Sequence, residues 1–551
     1  MKTIYSIFFK RSLVLLLTFI SFLAFSQDQF CNVTVIKGKN QYRYSDSFTD
    51  YEVQTKGKIK VNDDDTRIVS ISPGGYLKIS KKTFGNKRSL IVESSAVGGL
   101  KYEYYEGRTE VPFEPEGRKW LADILLDVVR MTGIDAEGRT KRIYQNDGVD
   151  GFLEEIHQIA SNSITALYFE SLLENFKLNE NELVSICRAI SDEISSNSER
   201  GRLFRRYSGL FMASNTLAVQ FFESISGLSS NTERGSVLRS IDKPIDFNDN
   251  KVTEAYFDCV DKLTSNTEAG SVIRNLERSQ SLSNAAYVRL LVSAKKLTSN
   301  TEMGSVMRSL KNIDMTDPDI SDAWFNAIDA MTSNTEAGST MRSLMSNHTL
   351  DDRNYLRLLE SVKKLSSNTE AGSVLRSARD INLGNPEISN AYFIAISSLT
   401  SNTEMGSVLR HTIRNYSLNH DSWKTFFMTA GKMSSSSELA SVLRAAQEEM
   451  PFDGEVMEAF FAAANQITSN TEKGRVLRAV ASNPKANREA ILGVINSSRI
   501  MSSNTEKSSV LRTVAKTPFV KDETVKSAYM SAARTLSSDT DYRSTVDALI
   551  D

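Results

Sequence analysis

Histidine and cysteine, the residues most metal and nucleophilic sites draw on, are scarce: 551 residues hold four of the first and three of the second. His157, His348, His411 and His420 are scattered without ligand spacing, and although the last two share a repeat, no further ligand accompanies them. Cys31, Cys187 and Cys259 are odd in number and lack short spacings, which excludes a disulfide framework and a zinc knuckle. The last two fall in two repeats, nine and six residues before the repeated Ser, where large apolar residues also occur, so buried thiols are expected. There is no H-E-x-x-H, G-x-S-x-G, P-loop or Rossmann glycine set. No catalytic residue, cofactor or metal is therefore expected. Nine prolines suit a mostly helical chain. With 66 basic against 68 acidic residues, nothing in the charge balance calls for nucleic acid or an anionic membrane as partner.

Long apolar runs are also missing, apart from one at the start. Leu13 to Phe25 is apolar except for Thr18 and Ser21, and it follows Lys2, Lys10 and Arg11. It falls short of the roughly 20 residues that cross a bilayer, and Ala24 and Ser26 stand at the spacing a signal peptidase accepts. Residues 1–26 thus read as a secretory signal cut before Gln27. A secreted or periplasmic protein with no membrane span after cleavage follows as the expectation.

What the chain has in abundance is one motif. Anchored on its serine, it recurs at Ser161, Ser196, Ser230, Ser265, Ser299, Ser333, Ser367, Ser401, Ser435, Ser469, Ser503 and Ser538, always 34 or 35 residues apart. A fixed period in this range predicts stacked supersecondary units. Ser265-Asn266-Thr267-Glu268 has the form of a capping box, in which the Ser accepts an early backbone N–H and the Glu reaches back to the cap, so one helix starts per repeat. Apolar residues four, seven, eight and eleven places after the Ser, such as Ala269, Val272, Ile273 and Leu276, lie on one helix face.

Five places after the Ser stands glycine in eight copies, with Ala440 and Ser508 as exceptions. Gly inside a helix costs about 1 kcal/mol relative to Ala, so close approach of a neighbouring helix is expected there, and Gly→Leu is expected to split the stack. Nine places after the Ser stands arginine. The expected ladder along the stack pairs each Arg with the motif Glu of an adjoining repeat, through Glu233, Arg239, Glu268, Arg274, Glu302, Arg308, Glu336, Arg342, Glu370, Arg376, Glu404 and Arg410. The competing reading is an exposed anion-binding stripe.

A second helix precedes each motif and carries large pairs such as Tyr256-Phe257, Trp324-Phe325, Tyr392-Phe393 and Phe426-Phe427, read as packing rather than as a ligand groove. Ile320 to Phe325 matches Ile388 to Phe393, a distance of two repeats, so alternate units are expected to differ in their loops.

Before the repeats the texture is different. Residues 27–115 hold β-prone runs, among them Tyr51 to Val61, Tyr76 to Ser80, Ser89 to Glu93 and Leu100 to Tyr105, separated by turn residues. They predict a small antiparallel sheet of about five or six strands. Asn62-Asp63-Asp64-Asp65 resembles a calcium loop but continues into no liganding pattern, so it reads as a solvated turn. Residues 116–146 form a helical connector that caps the stack, with Trp120, Leu121, Ile124, Leu125, Val128 and Val129 in helical rhythm up to Gly133.

Ser70 to Leu77, Pro112-Phe113, Trp120-Leu121, Gly133-Ile134-Asp135, Tyr168-Phe169 and Leu172-Leu173 resemble the extracytoplasmic region of a bacterial envelope family. Some members of that family are joined to membrane metallopeptidases of the β-lactam-sensor type. The likeness covers residues 50 to 210, with the HEAT-like repeats as continuation. The zinc motif and membrane bundle are missing, so no peptidase activity carries over. The resemblance implies sensing or partner binding at the cell envelope.

The fold class expected is α+β multidomain: a small antiparallel β domain followed, over residues 147–551, by an all-α solenoid of about twelve helix-hairpin repeats of 34 residues. The expected function is a non-enzymatic extracytoplasmic scaffold for a protein or peptide at the cell envelope. Alternatives are a regulatory or sensor partner in envelope signalling, and a hydrolase with a polar pocket in the β domain or its junction with the helices.

Overall fold

The structure, a computed structural model, describes residues 32–36, 39–45, 48–95 and 98–550. The expected leader and Cys31 lie outside the described residues. By its internal contacts the chain divides into two compact units, Met1–Leu263 and Thr264–Asp551.

The first unit opens with strands β1 (Asn32–Ile36), β2 (Lys39–Ser45), β3 (Thr49–Lys56), β4 (Ile59–Val61), β5 (Ile68–Ile71), β6 (Tyr76–Thr83), β7 (Asn86–Ser94), β8 (Leu100–Glu106) and β9 (Thr109–Val111). Seven make one antiparallel sheet in the order β1-β2-β3-β6-β7-β8-β9, and β4 and β5 pair separately. This exceeds the five or six strands expected. The run Tyr51 to Val61 is two strands because the chain leaves the sheet at Gly57, whose φ of +81° suits glycine. β5 is too short to show an alternation of its own.

One row crosses the sheet through register partners Val53, Ile79, Leu90 and Tyr104, all buried. Onto it packs α1 (Arg118–Thr132), whose Trp120, Leu121, Ile124, Leu125, Val128 and Val129 share a core with the strands. The helix stops at Gly133, with φ +65° and its N–H on the Val129 carbonyl at 2.8 Å. Next, α2 (Ala136–Ile156) runs through the 146/147 boundary and breaks at Gly148, where φ is +65° and ψ −155°.

Each repeat is a hairpin of a leading helix and a motif helix. The motif helices start one residue after the motif Ser, as Asn162–Asn175, Asn197–Phe211 and Asn231–Arg239 in the first unit. In the second unit they run from Asn266–Ser279 to Asp539–Ile550. Within each unit, motif helices stack on motif helices and leading helices on leading helices, the arrangement of an α-solenoid. Val272, Ile273 and Leu276, and likewise Val408 and Leu409, are buried as the spacing predicts.

The doubled period shows as alternating helix length. Motif helices Asn266–Ser279, Asn334–Asn347 and Asn402–Asn415 have 14 residues, whereas Asn300–Ser309 has 10 and Asn368–Arg376 has 9. After the short helices the loops bury Ile313 and Met315, or Ile381 and Leu383, which supply the apolar surface a last helical turn would otherwise give. Of the large pairs, Tyr256-Phe257, Trp324-Phe325, Tyr392-Phe393 and Phe426-Phe427 are buried and meet mostly edge to face. Among the described residues no helix is long and apolar enough to cross a membrane.

Candidate functional site

The repeated residues converge where consecutive motif helices meet. Except at Ser161, each motif Ser caps its helix: Ser265, Ser299, Ser333, Ser367 and Ser401 accept the N–H of the Glu three places on, at 3.3 Å. The Glu does not return to the cap, which corrects the capping-box reading. In the second unit the cap's own N–H is already taken by an asparagine of the preceding repeat. Asn266 Oδ1 accepts from Thr298 N (2.8 Å) and Ser299 N (3.2 Å), and its Nδ2 donates to Thr298 Oγ1 (2.9 Å).

Asn300, Asn334, Asn368, Asn402 and Asn470 repeat the same three bonds. Ser436 replaces Asn in one copy, and its hydroxyl accepts both N–H groups instead. Where no motif is present, Asn179 and Glu182 form the full reciprocal box. This asparagine was missed from the sequence. Its signal is that it follows the motif Ser in nearly every copy.

Freed from the cap, the Glu carboxylate accepts from the Arg of the preceding repeat. Nη1 to Oε2 distances are 2.9 Å for Arg274–Glu302, 2.8 Å for Arg308–Glu336, 2.9 Å for Arg342–Glu370 and 2.9 Å for Arg376–Glu404. Arg410–Glu438 at 3.0 Å and Arg478–Glu506 at 2.8 Å continue the series, and Arg205–Glu233 at 2.5 Å belongs to the first unit. Arg239 ends its helix in the first unit and Glu268 stands in the first turn of a helix in the second. The paired side chains are 20–31% exposed, so these are partly buried pairs and not an open cationic stripe. A pair in this setting contributes about 1 kcal/mol, between an exposed ion pair and a buried charge-assisted bond.

The glycine explains itself at the same place. A Cβ on Gly270, Gly338 or Gly372 would sit 2.6 Å from the next repeat's Glu Oε2 and 3.1–3.2 Å from its own repeat's Arg Nη1. What approaches the glycine is a carboxylate, not the neighbouring helix that was expected. The two departures from glycine are informative. Ala440 and Ser508 are both buried, and neither Arg444 nor Arg512 makes an ion pair among the described residues. Glu472, which would have met Arg444, instead takes Arg475 of its own helix at 2.6 Å.

The place four after the Ser is not uniformly apolar either. Arg200, Arg234, Lys473 and Lys507 occupy it and are buried. They bind carbonyls that helix geometry leaves without a partner at leading-helix ends. Arg234 donates to Ser226 O (3.1 Å) and Lys262 O (2.5 Å), and Lys473 Nζ to Asn465 O (3.3 Å). Burial lowers the Lys473 pKa.

A second polar cluster lies in the first unit. Arg139, 4% exposed, donates to Asp65 (2.7 Å), Glu155 (2.8 Å) and Tyr168 Oη (2.8 Å), and Arg130 holds the same Glu155 at 2.7 Å. Arg142 bonds Asp65 and Asp135. Asp65 is therefore an anchor between the β4–β5 hairpin and α2, which corrects the solvated-turn reading, although Asp63 is 97% exposed. Burial alone would raise the Glu155 pKa, but hydrogen bonds from Arg130 and Arg139 outweigh it and hold it below the ordinary 4.5.

Between the sheet and α1 a pocket of about 470 Å³ is lined by Tyr44, Tyr51, Lys81, Asp127 and Ser161 among others. Ser161 Oγ lies 3.2 Å from Ser163 Oγ, and no histidine lines the pocket. Cys187 and Cys259 are buried, and burial pushes their thiols up to about 12 and about 11. His157 pairs with Glu193 and His420 with Asp453, while His411 contacts Asn415 and His348 the Leu310 carbonyl. Among the described residues no group of three or more His, Cys, Asp or Glu is placed to hold a metal.

No protein family matches the chain. No curated protein matches it. Among known structures it is similar to a homology model of the full-length AP-3 complex in an intermediate open conformation. The identity is 12% over 76% of this chain and 84% of that chain, with a TM-score of 0.24. A likeness at that score carries no argument about what the chain does.

Proposed function

We propose that the chain is a non-enzymatic extracytoplasmic scaffold whose stacked hairpins hold a protein or peptide partner at the cell envelope. One observation carries this reading. The residues repeated from copy to copy are engaged in the seams between motif helices, whereas outward places on the leading helices differ. Seven places before the motif Ser stand Asp258, Val292, Asn326, Glu360, Ile394, Met428, Ala462 and Asn496, all exposed. Met428 is 69% exposed and Ile394 45%, apolar surface that packing within the stack does not use. Repeat stacks offer a partner an extended surface of this kind.

The envelope location is supported by the run Leu13 to Phe25 and by the family resemblance of residues 50 to 210. A second reading, a regulatory or sensor partner in envelope signalling, draws its support from the pocket between the sheet and α1. Affinity capture tests the scaffold. The chain from Gln27 onward, immobilised and offered envelope extract, is expected to retain a discrete partner in near-stoichiometric amount that a bovine-albumin matrix does not. Retention equal to that matrix would overturn the reading.

A further inference from the structure

The leading helices Gly454–Asn465 and Arg488–Arg499 part to leave a groove of about 570 Å³; a groove at the same places between Asn284–Lys295 and Pro318–Asp329, about 510 Å³, has Lys295 among its lining residues. What sets the 570 Å³ groove apart is one substitution in its wall. Gly493 stands ten places before its motif Ser, where the seven repeats from Ser265 to Ser469 carry Ala, Arg or Thr. A Cβ there would run into the Phe461 ring. Phe461 occupies the slot in which Phe325, Phe393 and Phe427 are at most 1% exposed, yet its own ring is half-buried and faces the groove. Leu492 and Ile500, the latter 61% exposed, continue the apolar lining.

The rim is acidic and uncompensated. Glu458 and Glu489 line the groove from its two helices, both are exposed, and neither has an ion-pair partner among the described residues. No lysine or arginine is among the lining residues. Glu455, on the same helix but not among the lining residues, is by contrast already paired with Lys424 at 2.6 Å. Asn465 and Asn496 add two side-chain amides without partners among the described residues, each able to give and take a hydrogen bond with extended backbone.

We infer that this groove docks a basic peptide segment of the partner protein, with one large apolar side chain seated between Phe461 and Leu492 and flanking cations on Glu458 and Glu489. The inference rests on the scaffold reading and specifies the chemistry of its partner. An apolar anchor in a pocket, ringed by opposite charge, is the arrangement in which a few residues dominate binding.

Fluorescence anisotropy with the chain from Gln27 onward and three labelled synthetic peptides tests it. The first peptide has a central Trp flanked by lysines, the second has Glu for every Lys, and the third has Ala for the Trp. The first is expected to bind about ten-fold tighter than either of the others. The double variant Glu458→Gln/Glu489→Gln, at exposed places that leave the fold alone, is expected to weaken it about five-fold and to flatten its salt dependence. Ile500→Ser is expected to weaken it without changing salt dependence. Equal binding of the three peptides, or no binding by any, overturns the groove proposal, while the capture experiment judges the scaffold separately. Binding that both variants leave unchanged places a peptide site elsewhere on the stack and likewise overturns it.

Discussion

Glu155 illustrates what a single side chain does at the root of the stack. Its carboxylate accepts from two arginines, one of them almost fully buried, so removing it strands the Arg139 charge. Breaking a buried pair from one side costs about 3–5 kcal/mol, and Glu155→Ala is expected to lower stability by that amount in urea unfolding. Because the folded pKa lies below 4.5, the contribution is complete above that value and is lost as pH falls through the depressed pKa. The variant should therefore flatten the acid limb of the stability profile. Lys473 gives a slope of the same sign in an alkaline window: its folded pKa is lowered from 10.5, so the unfolded chain binds the proton more tightly and stability rises with pH toward that value. Lys473→Met places there the residue that Met303 and Met405 already show in other repeats. It is expected to stabilise by about 1 kcal/mol at neutral pH and to abolish that alkaline gain, again by urea unfolding.

At the scale of the element, the sequence is legible wherever the signal is local or periodic. The hairpins, their starts at the motif Ser and their buried Val and Leu follow from spacing within one helix. The Arg and Glu of the ladder could be paired because both recur in nearly every unit. Asn266 could not be, since its partners Thr298 and Ser299 lie 32 and 33 residues away and its own helix turn shows no reason for it. The same competition explains the misread capping box, because Asn holds the N–H that Glu would have taken. Arg139, Asp65 and Glu155 recur nowhere, so no pattern joins them across the 74 residues from Asp65 to Arg139. The close approach of Phe461 to Gly493 is a departure from the repeat that only the helix packing reveals.

At the scale of the whole molecule, a solenoid's stability is close to a sum of repeat and nearest-neighbour terms, so its seams are not equal. The seam at Ala440 lacks the Arg444 pair, whereas those at Gly372 and Gly406 have theirs. Native-state hydrogen exchange should find the amides of Asn470–Ala481 opening more readily than those of Asn402–Asn415. The expected difference is about five-fold, the worth of roughly 1 kcal/mol. Uniform protection along both helices would contradict an additive seam. A stack held by the residues of its seams leaves its outward places free to vary.

The claim beneath all of this is that the motif glycine exists to admit the next repeat's carboxylate, and a double-mutant cycle tests it most directly. Gly338→Ala alone gains about 1 kcal/mol of helix propensity but displaces Glu370, so urea unfolding should show little net change or a loss. In a Glu370→Ala background the same substitution should stabilise by about 1 kcal/mol, giving a coupling of similar size. An equal gain in both backgrounds would contradict the account.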